Sequence, residues 1–190
     1  SGQLTLSLSG FANVGVSLNM AGLSPLYSSV IRSNSGVTTW AVNIANQDGP
    51  PNNKFNVVLA CNSVDPYGIS SMGYALMGGG FVGNRMMLYR FDHGLGGGGR
   101  IVIDIPSANG LGTLPARGSF RITYDPASDN WALFGDVGTS YVDPASVSAL
   151  MGSGVDSTYT GGSMPYFSLA GLNGGVDYFD NLSISVVPEP

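Results

Sequence analysis

The feature that most constrains this chain is its alternation of apolar and polar residues in short runs. The first run is Leu4-Thr5-Leu6-Ser7-Leu8, with three leucines on one face. Further runs follow at residues 38–44, 55–61, 74–77, 85–91, 101–105, 120–124, 131–134, 166–170 and 176–186. Successive side chains of a strand point to opposite faces, so a period of two marks a half-buried strand. With 29 glycines and 11 prolines between and within these runs, long helices are disfavoured and tight turns are favoured. The pattern predicts an all-β fold, a two-sheet antiparallel jelly-roll sandwich of about ten strands. The only helical signal is at residues 144–151, where Asp143 is placed to cap, Pro144 opens the first turn and Gly152 follows the end. One short helix is therefore the most the sandwich should carry. No internal repeat or linker divides the chain, so residues 1–186 are expected to form one domain.

The leucine face at residues 4–8 cannot stay in water, and no two-residue turn gives it a local hairpin partner. It is expected to close its own sandwich beside the C-terminal strand. The alternative is donation to the sheet edge of a neighbouring copy.

Charge excludes some functions. Only 10% of the residues are charged and the net charge is −5. Seven basic residues scattered along the chain cannot neutralise a run of phosphates, so nucleic acid is not an expected partner. No run of about 20 apolar residues provides a membrane segment. Weak long-range repulsion is compatible with self-association.

Catalytic equipment is sparse. The one glutamate, Glu189, lies in the tail, whereas glycoside hydrolysis calls for a matched pair of carboxyls. The one histidine, His93, sits in Phe91-Asp92-His93-Gly94 beside a glycine run and reads as a turn residue. The one cysteine, Cys61, sits in an apolar strand and reads as a small buried side chain. No catalytic residue is assigned, and the chain is expected not to be an enzyme.

Two segments carry resemblances. The tail Val187-Pro188-Glu189-Pro190 resembles the start of a PEP-CTERM sorting signal, in which this motif precedes an apolar segment and a basic cluster. The resemblance implies a secreted or outer-surface protein of a Gram-negative-type bacterium, often one that makes exopolysaccharide. Residues 187–190 are then the beginning of that tail. Residues 118–125 and 130–136, the ending 178–184 and the run 85–91 resemble strands of laminin G-like and concanavalin A-like domains. That resemblance implies the same jelly-roll sandwich and, for function, a lectin-like role in adhesion or in binding extracellular polysaccharide. Low charge and abundant Gly and Ser also suit a self-assembling subunit of an extracellular filament or matrix, whose partners are copies of itself.

Site residues follow from these readings. Sugar faces stack on exposed aromatic rings; Trp40, Trp131, Tyr89, Tyr141, Tyr159 and Tyr166 are the candidates. Tyr141 and Tyr159 lie in loop-like segments, and Trp131 belongs to the lectin-like strand pair. Asp180 is the one charge in the series Val176, Tyr178, Asp180, Leu182, Ile184 and Val186, and a buried carboxylate needs a partner. Lectin-like sandwiches place an Asp before an Asn on this last strand to hold a structural calcium, so the resemblance implies calcium at Asp180. A hydrogen-bonded strand end, or a bulge that turns Asp180 outward, is the alternative.

Overall fold

The computed structural model describes residues 4–7, 13–22, 26–46, 54–79, 85–105, 116–172 and 176–188. Its strands are β1 (Leu4–Ser7), β2 (Asn13–Asn19), β3 (Gly36–Asn46), β4 (Lys54–Cys61), β5 (Gly73–Gly79) and β6 (Arg85–Asp92). They continue with β7 (Gly98–Ile105), β8 (Ala116–Asp125), β9 (Asn130–Gly138), β10 (Leu150–Val155), β11 (Tyr166–Leu172) and β12 (Val176–Pro188). They form two six-stranded sheets, ordered β1-β12-β3-β8-β9-β10 and β2-β11-β4-β5-β6-β7. All ten described strand pairs are antiparallel. The fold class is the one the alternation predicts. Among the described residues no helix is long and apolar enough to cross a membrane.

The period-two faces meet between the sheets. The first sheet contributes Trp40, Val42 and Ile44, then Phe120, Ile122 and Tyr124, then Trp131 and Leu133, and Phe179. The second contributes Val57, Leu59, Tyr74, Leu76, Met86, Leu88, Ile103, Ile105, Phe167 and Leu169. Trp131 is the hub: Tyr74 approaches it at 4.5 Å, Tyr124 at 4.8 Å and Trp40 at 5.8 Å between ring centroids.

β1 pairs antiparallel with β12, Leu4 opposite Phe179 and Ser7 opposite Val176. The first run therefore closes its own sandwich, as expected; Leu8 lies outside the described residues. β12 continues two residues beyond the expected domain end, with Val187 opposite Val37 and Pro188 opposite Gly36.

The helix expected at residues 144–151 is not formed. Only Pro144–Ser146 makes a 3₁₀ turn, capped as foreseen by the Asp143 carboxylate, which accepts the Ala145 N–H. Leu150 and Met151 instead open β10, which pairs with β9. Tertiary packing overrides the local signal here. Gly152 and Gly154 let β10 lie against β7, since a Cβ would stand 2.6 Å from Ile103 at the first and 2.3 Å from the Val102 carbonyl at the second. A two-turn helix would forfeit that contact between the sheets. The sequence reading also misses β2, whose alternating Val14, Val16 and Leu18 are diluted by glycine and asparagine.

Candidate functional site

β6 is apolar on both faces. Met86 and Leu88 point into the core, so Met87, Tyr89 and Phe91 point outward from the second sheet. A strand with two apolar faces needs a second cover. Loops 62–72 and 93–97 supply part of it. The Leu95 N–H donates to the Pro66 carbonyl at 2.9 Å and the Gly94 N–H to the Ser71 carbonyl at 2.7 Å. Gly94 has φ +86° and packs against Tyr67 backbone, where a Cβ would stand 2.6 Å from the carbonyl oxygen; only glycine fits. The glycine run after His93 is thus split between this docked turn and the start of β7. His93 itself is an exposed turn residue with φ 61°. Beneath the loops, Val58, Cys61, Ala75, Phe91, Leu95 and Ala170 form a second apolar cluster. Cys61 is fully buried, and that burial pushes its thiol up, away from a reactive thiolate.

The loops leave a groove of about 230 Å³ uncovered, lined by Met77, Met87, Tyr89, Leu95, Gly96, Gly97 and Ile101. Strand register builds its floor: Met77 lies opposite Met87, and Tyr89 opposite Ile101. At one end Arg85 and Asp104, outward on the same face, pair at 3.5 Å. Beside Met77 in register is Asn56, 2% exposed. Its Nδ2 reaches the Tyr67 hydroxyl at 3.5 Å, and its Oδ1 has no partner among the described residues.

The residues expected from sequence fall elsewhere. Trp131 is fully buried between the sheets, its Nε1 donating to the Asp156 carbonyl at 2.9 Å, so it offers no ring face to a sugar. The strand pair resembling a lectin's places this ring on the inner face, where parity puts it with Leu133. Tyr159 is half-buried where the sheets meet; its hydroxyl donates to Asp92 and its ring lies 5.7 Å from the Arg90 guanidinium. That hydrogen bond to a carboxylate, together with burial, raises its phenol above the ordinary range. Tyr141 lies on the outward face of the other sheet, with the Arg117 guanidinium 5.8 Å from its ring centroid. The three candidates do not converge on one surface. Tyr89, one of the wider aromatic set, is the one in the groove. The signal that locates the groove is the unbroken apolar run Met86-Met87-Leu88-Tyr89, which no one-faced strand explains.

Asp180 does not sit on the apolar face of β12. The register shifts between Asp180 and Ser183, and Asn181 adopts φ 52°. This bulge changes the parity of the strand: Phe179 points inward before it, and Leu182, Ile184 and Val186 after it. Asp180 therefore turns outward, where one carboxylate oxygen accepts the Asn181 N–H at 2.8 Å. Calcium wants six to eight oxygens. The described residues gather no three acidic, histidine or cysteine side chains suited to a metal, at Asp180 or elsewhere. Its cross-strand neighbour Asn43 is fully buried, and its side-chain amide has no partner among the described residues. Asp180 and Asn43 place two side-chain oxygens next to each other in register on this face.

A polar node ties the sheets together at Asp156, which follows β10 and is 6% exposed. It accepts from the Tyr74 hydroxyl at 2.8 Å, the Thr158 N–H at 3.0 Å and the Arg90 guanidinium at 2.9 Å. Burial alone would raise this carboxyl, but those donors outweigh it and hold the group below the usual carboxylate range.

No protein-family model and no curated protein matches the chain. Solved structures do. A GH131 β-glucanase catalytic domain from Podospora anserina superposes at a TM-score of 0.50 with 11% identity, over 97% of this chain and 71% of that one. The carbohydrate recognition domain of Emp47p superposes at 0.50 with 11% identity, over 96% and 76%. The fold is the concanavalin A-like jelly roll. At such identity the likeness is one of fold, and chemistry must be read from this jelly roll's own residues.

Proposed function

We propose that the chain is a non-catalytic carbohydrate-binding sandwich, exported to the cell surface or matrix, that holds a polysaccharide in the groove over β5, β6 and β7. The observation that carries this reading is an open groove on a jelly-roll face, floored by a phenol ring and alkyl and thioether side chains. Tyr89 supplies the flat apolar surface on which a sugar ring stacks. The fold's occurrence in a glucanase and in a carbohydrate recognition domain supports the choice of ligand. The lining residues include no carboxylic acid, and the neighbouring Asp104 is engaged by Arg85. That composition favours retention of a glycan over its cleavage. The tail resembling a sorting signal supports export.

Gly96 offers a clean test. A Cβ there meets nothing within 4 Å and the φ of Gly96 lies outside the left-handed region, so a side chain can start from this position, and Gly96→Trp adds bulk at the rim. Binding to a polysaccharide array or to exopolysaccharide is expected to fall at least tenfold in Gly96→Trp and in Tyr89→Ala, with melting of Gly96→Trp unchanged. Undiminished binding in both variants refutes the assignment of the groove.

One observation favours a second reading, assembly into a matrix. Among the described strands β2 is an edge strand without a charged residue, and its Val16 and Leu18 stay 39% and 38% exposed. Edge strands that must remain single are usually blunted by charge or proline. Concentrated protein is then expected to form larger species in analytical ultracentrifugation, and Val16→Lys to return them to monomer. A wild-type monomer at every concentration rejects this reading.

A further inference from the structure

We infer that the groove is built for a sugar residue bearing a methyl group, a 6-deoxyhexose, rather than a fully hydroxylated hexose. The inference rests on the carbohydrate reading and names the class of ligand.

The lining decides between the two. An ordinary hexose presents hydroxyls around its ring, and each one buried without a partner is costly. Apart from the Tyr89 hydroxyl, the side chains of the groove are two thioethers, a leucine and an isoleucine, and two glycines complete the wall. The nearby charges, Arg85 and Asp104, are paired with each other at the end of the groove. Hydroxyls laid along Met77, Met87 and Ile101 would find few partners, whereas a methyl group at C6 would find apolar contact on several sides. Methionine suits that task, since its unbranched chain and polarisable sulfur adapt to irregular apolar shapes. The Tyr89 hydroxyl is the polar side-chain group of the lining, and it matches one ring hydroxyl. Size agrees: about 230 Å³ is below the roughly 300–1,000 Å³ of drug-sized ligand sites, and so suits one sugar residue of a chain.

The test uses the full chain carrying ¹³C-methyl methionine, with the Met77 and Met87 signals assigned through Met77→Leu and Met87→Leu. It is titrated with the methyl glycosides of L-fucose and L-galactose, which differ only by the C6 hydroxyl, and of L-rhamnose and L-mannose, which differ in the same way. At least one 6-deoxy glycoside is expected to shift both methionine signals and to bind about 10- to 100-fold more tightly than its hydroxylated partner, the range an apolar pocket reaches against an added hydroxyl. Gly96→Trp should abolish the shifts. Equal binding of the two members of each pair, or preference for the hydroxylated one, overturns this inference and leaves the carbohydrate reading standing. If no monosaccharide or polysaccharide perturbs Met77 or Met87, both are overturned.

Discussion

Asp156→Ala is expected to cost about 3–5 kcal/mol of stability, the range seen when one member of a buried pair is removed. The carboxylate receives Tyr74, Thr158 and Arg90 at once. Without it, the Tyr74 hydroxyl loses its acceptor while still receiving the Tyr159 N–H, and Arg90 keeps the Thr158 hydroxyl at 2.7 Å but, for charge, has the more distant Asp92 carboxylate at 3.7 Å. For a chain of this length the loss corresponds to a fall in Tm of roughly 6–20 °C, measurable by calorimetry. Asp156→Asn should cost less, since an amide oxygen still accepts from Tyr74 and Thr158. The pH dependence has a definite sign. The folded carboxyl titrates below its unfolded value of about 3.9. Its contribution is therefore complete above that value and is lost as pH falls through the lower folded pKa. Acid melting of the wild type should show this loss below about pH 4, and in Asp156→Ala that component should vanish. An alanine variant with wild-type Tm would show that the node does not hold the sheets together.

Trp131→Ala is the second large effect, expected at about 3–5 kcal/mol. The ring fills the centre of the interface, in contact with Trp40, Tyr74 and Tyr124, and its removal leaves a cavity that three rigid aromatics cannot collapse into. The readout separates structure from recognition. Chemical denaturation should shift strongly to lower denaturant, while glycan affinity of the fraction still folded should stay within about twofold, well short of the tenfold that 1.4 kcal/mol would give. Both tryptophans are fully buried, so wild-type emission should be blue-shifted and protected from iodide. Loss of affinity with unchanged stability would restore Trp131 to a binding role. Because Tyr74 both packs on Trp131 and donates to the Asp156 carboxylate, the double variant should cost less than the sum of the two single changes.

The alternation of residues determined by itself that this chain is a β-sandwich, and it located ten of the twelve described strands. Side-chain parity is a local property, readable wherever one face is buried and the other wet. The Asp143 cap of the Pro144 turn was legible for the same reason, being a contact between near neighbours. What lay beyond the sequence depended on distant partners. β10 is a strand because β9 pairs with it and its glycines fit against β7. Asp180 points outward because a bulge at Asn181 resets the parity of β12, and a one-residue slip sends every following side chain to the other face. Trp131 and Tyr89 are both aromatics on strands; only the stacking of two sheets decided that the first fills the core and the second floors a groove. That groove exists because the turns at 62–72 and 93–97 dock on each other and cover only part of an apolar face. No spacing within a single strand encodes where such a roof ends.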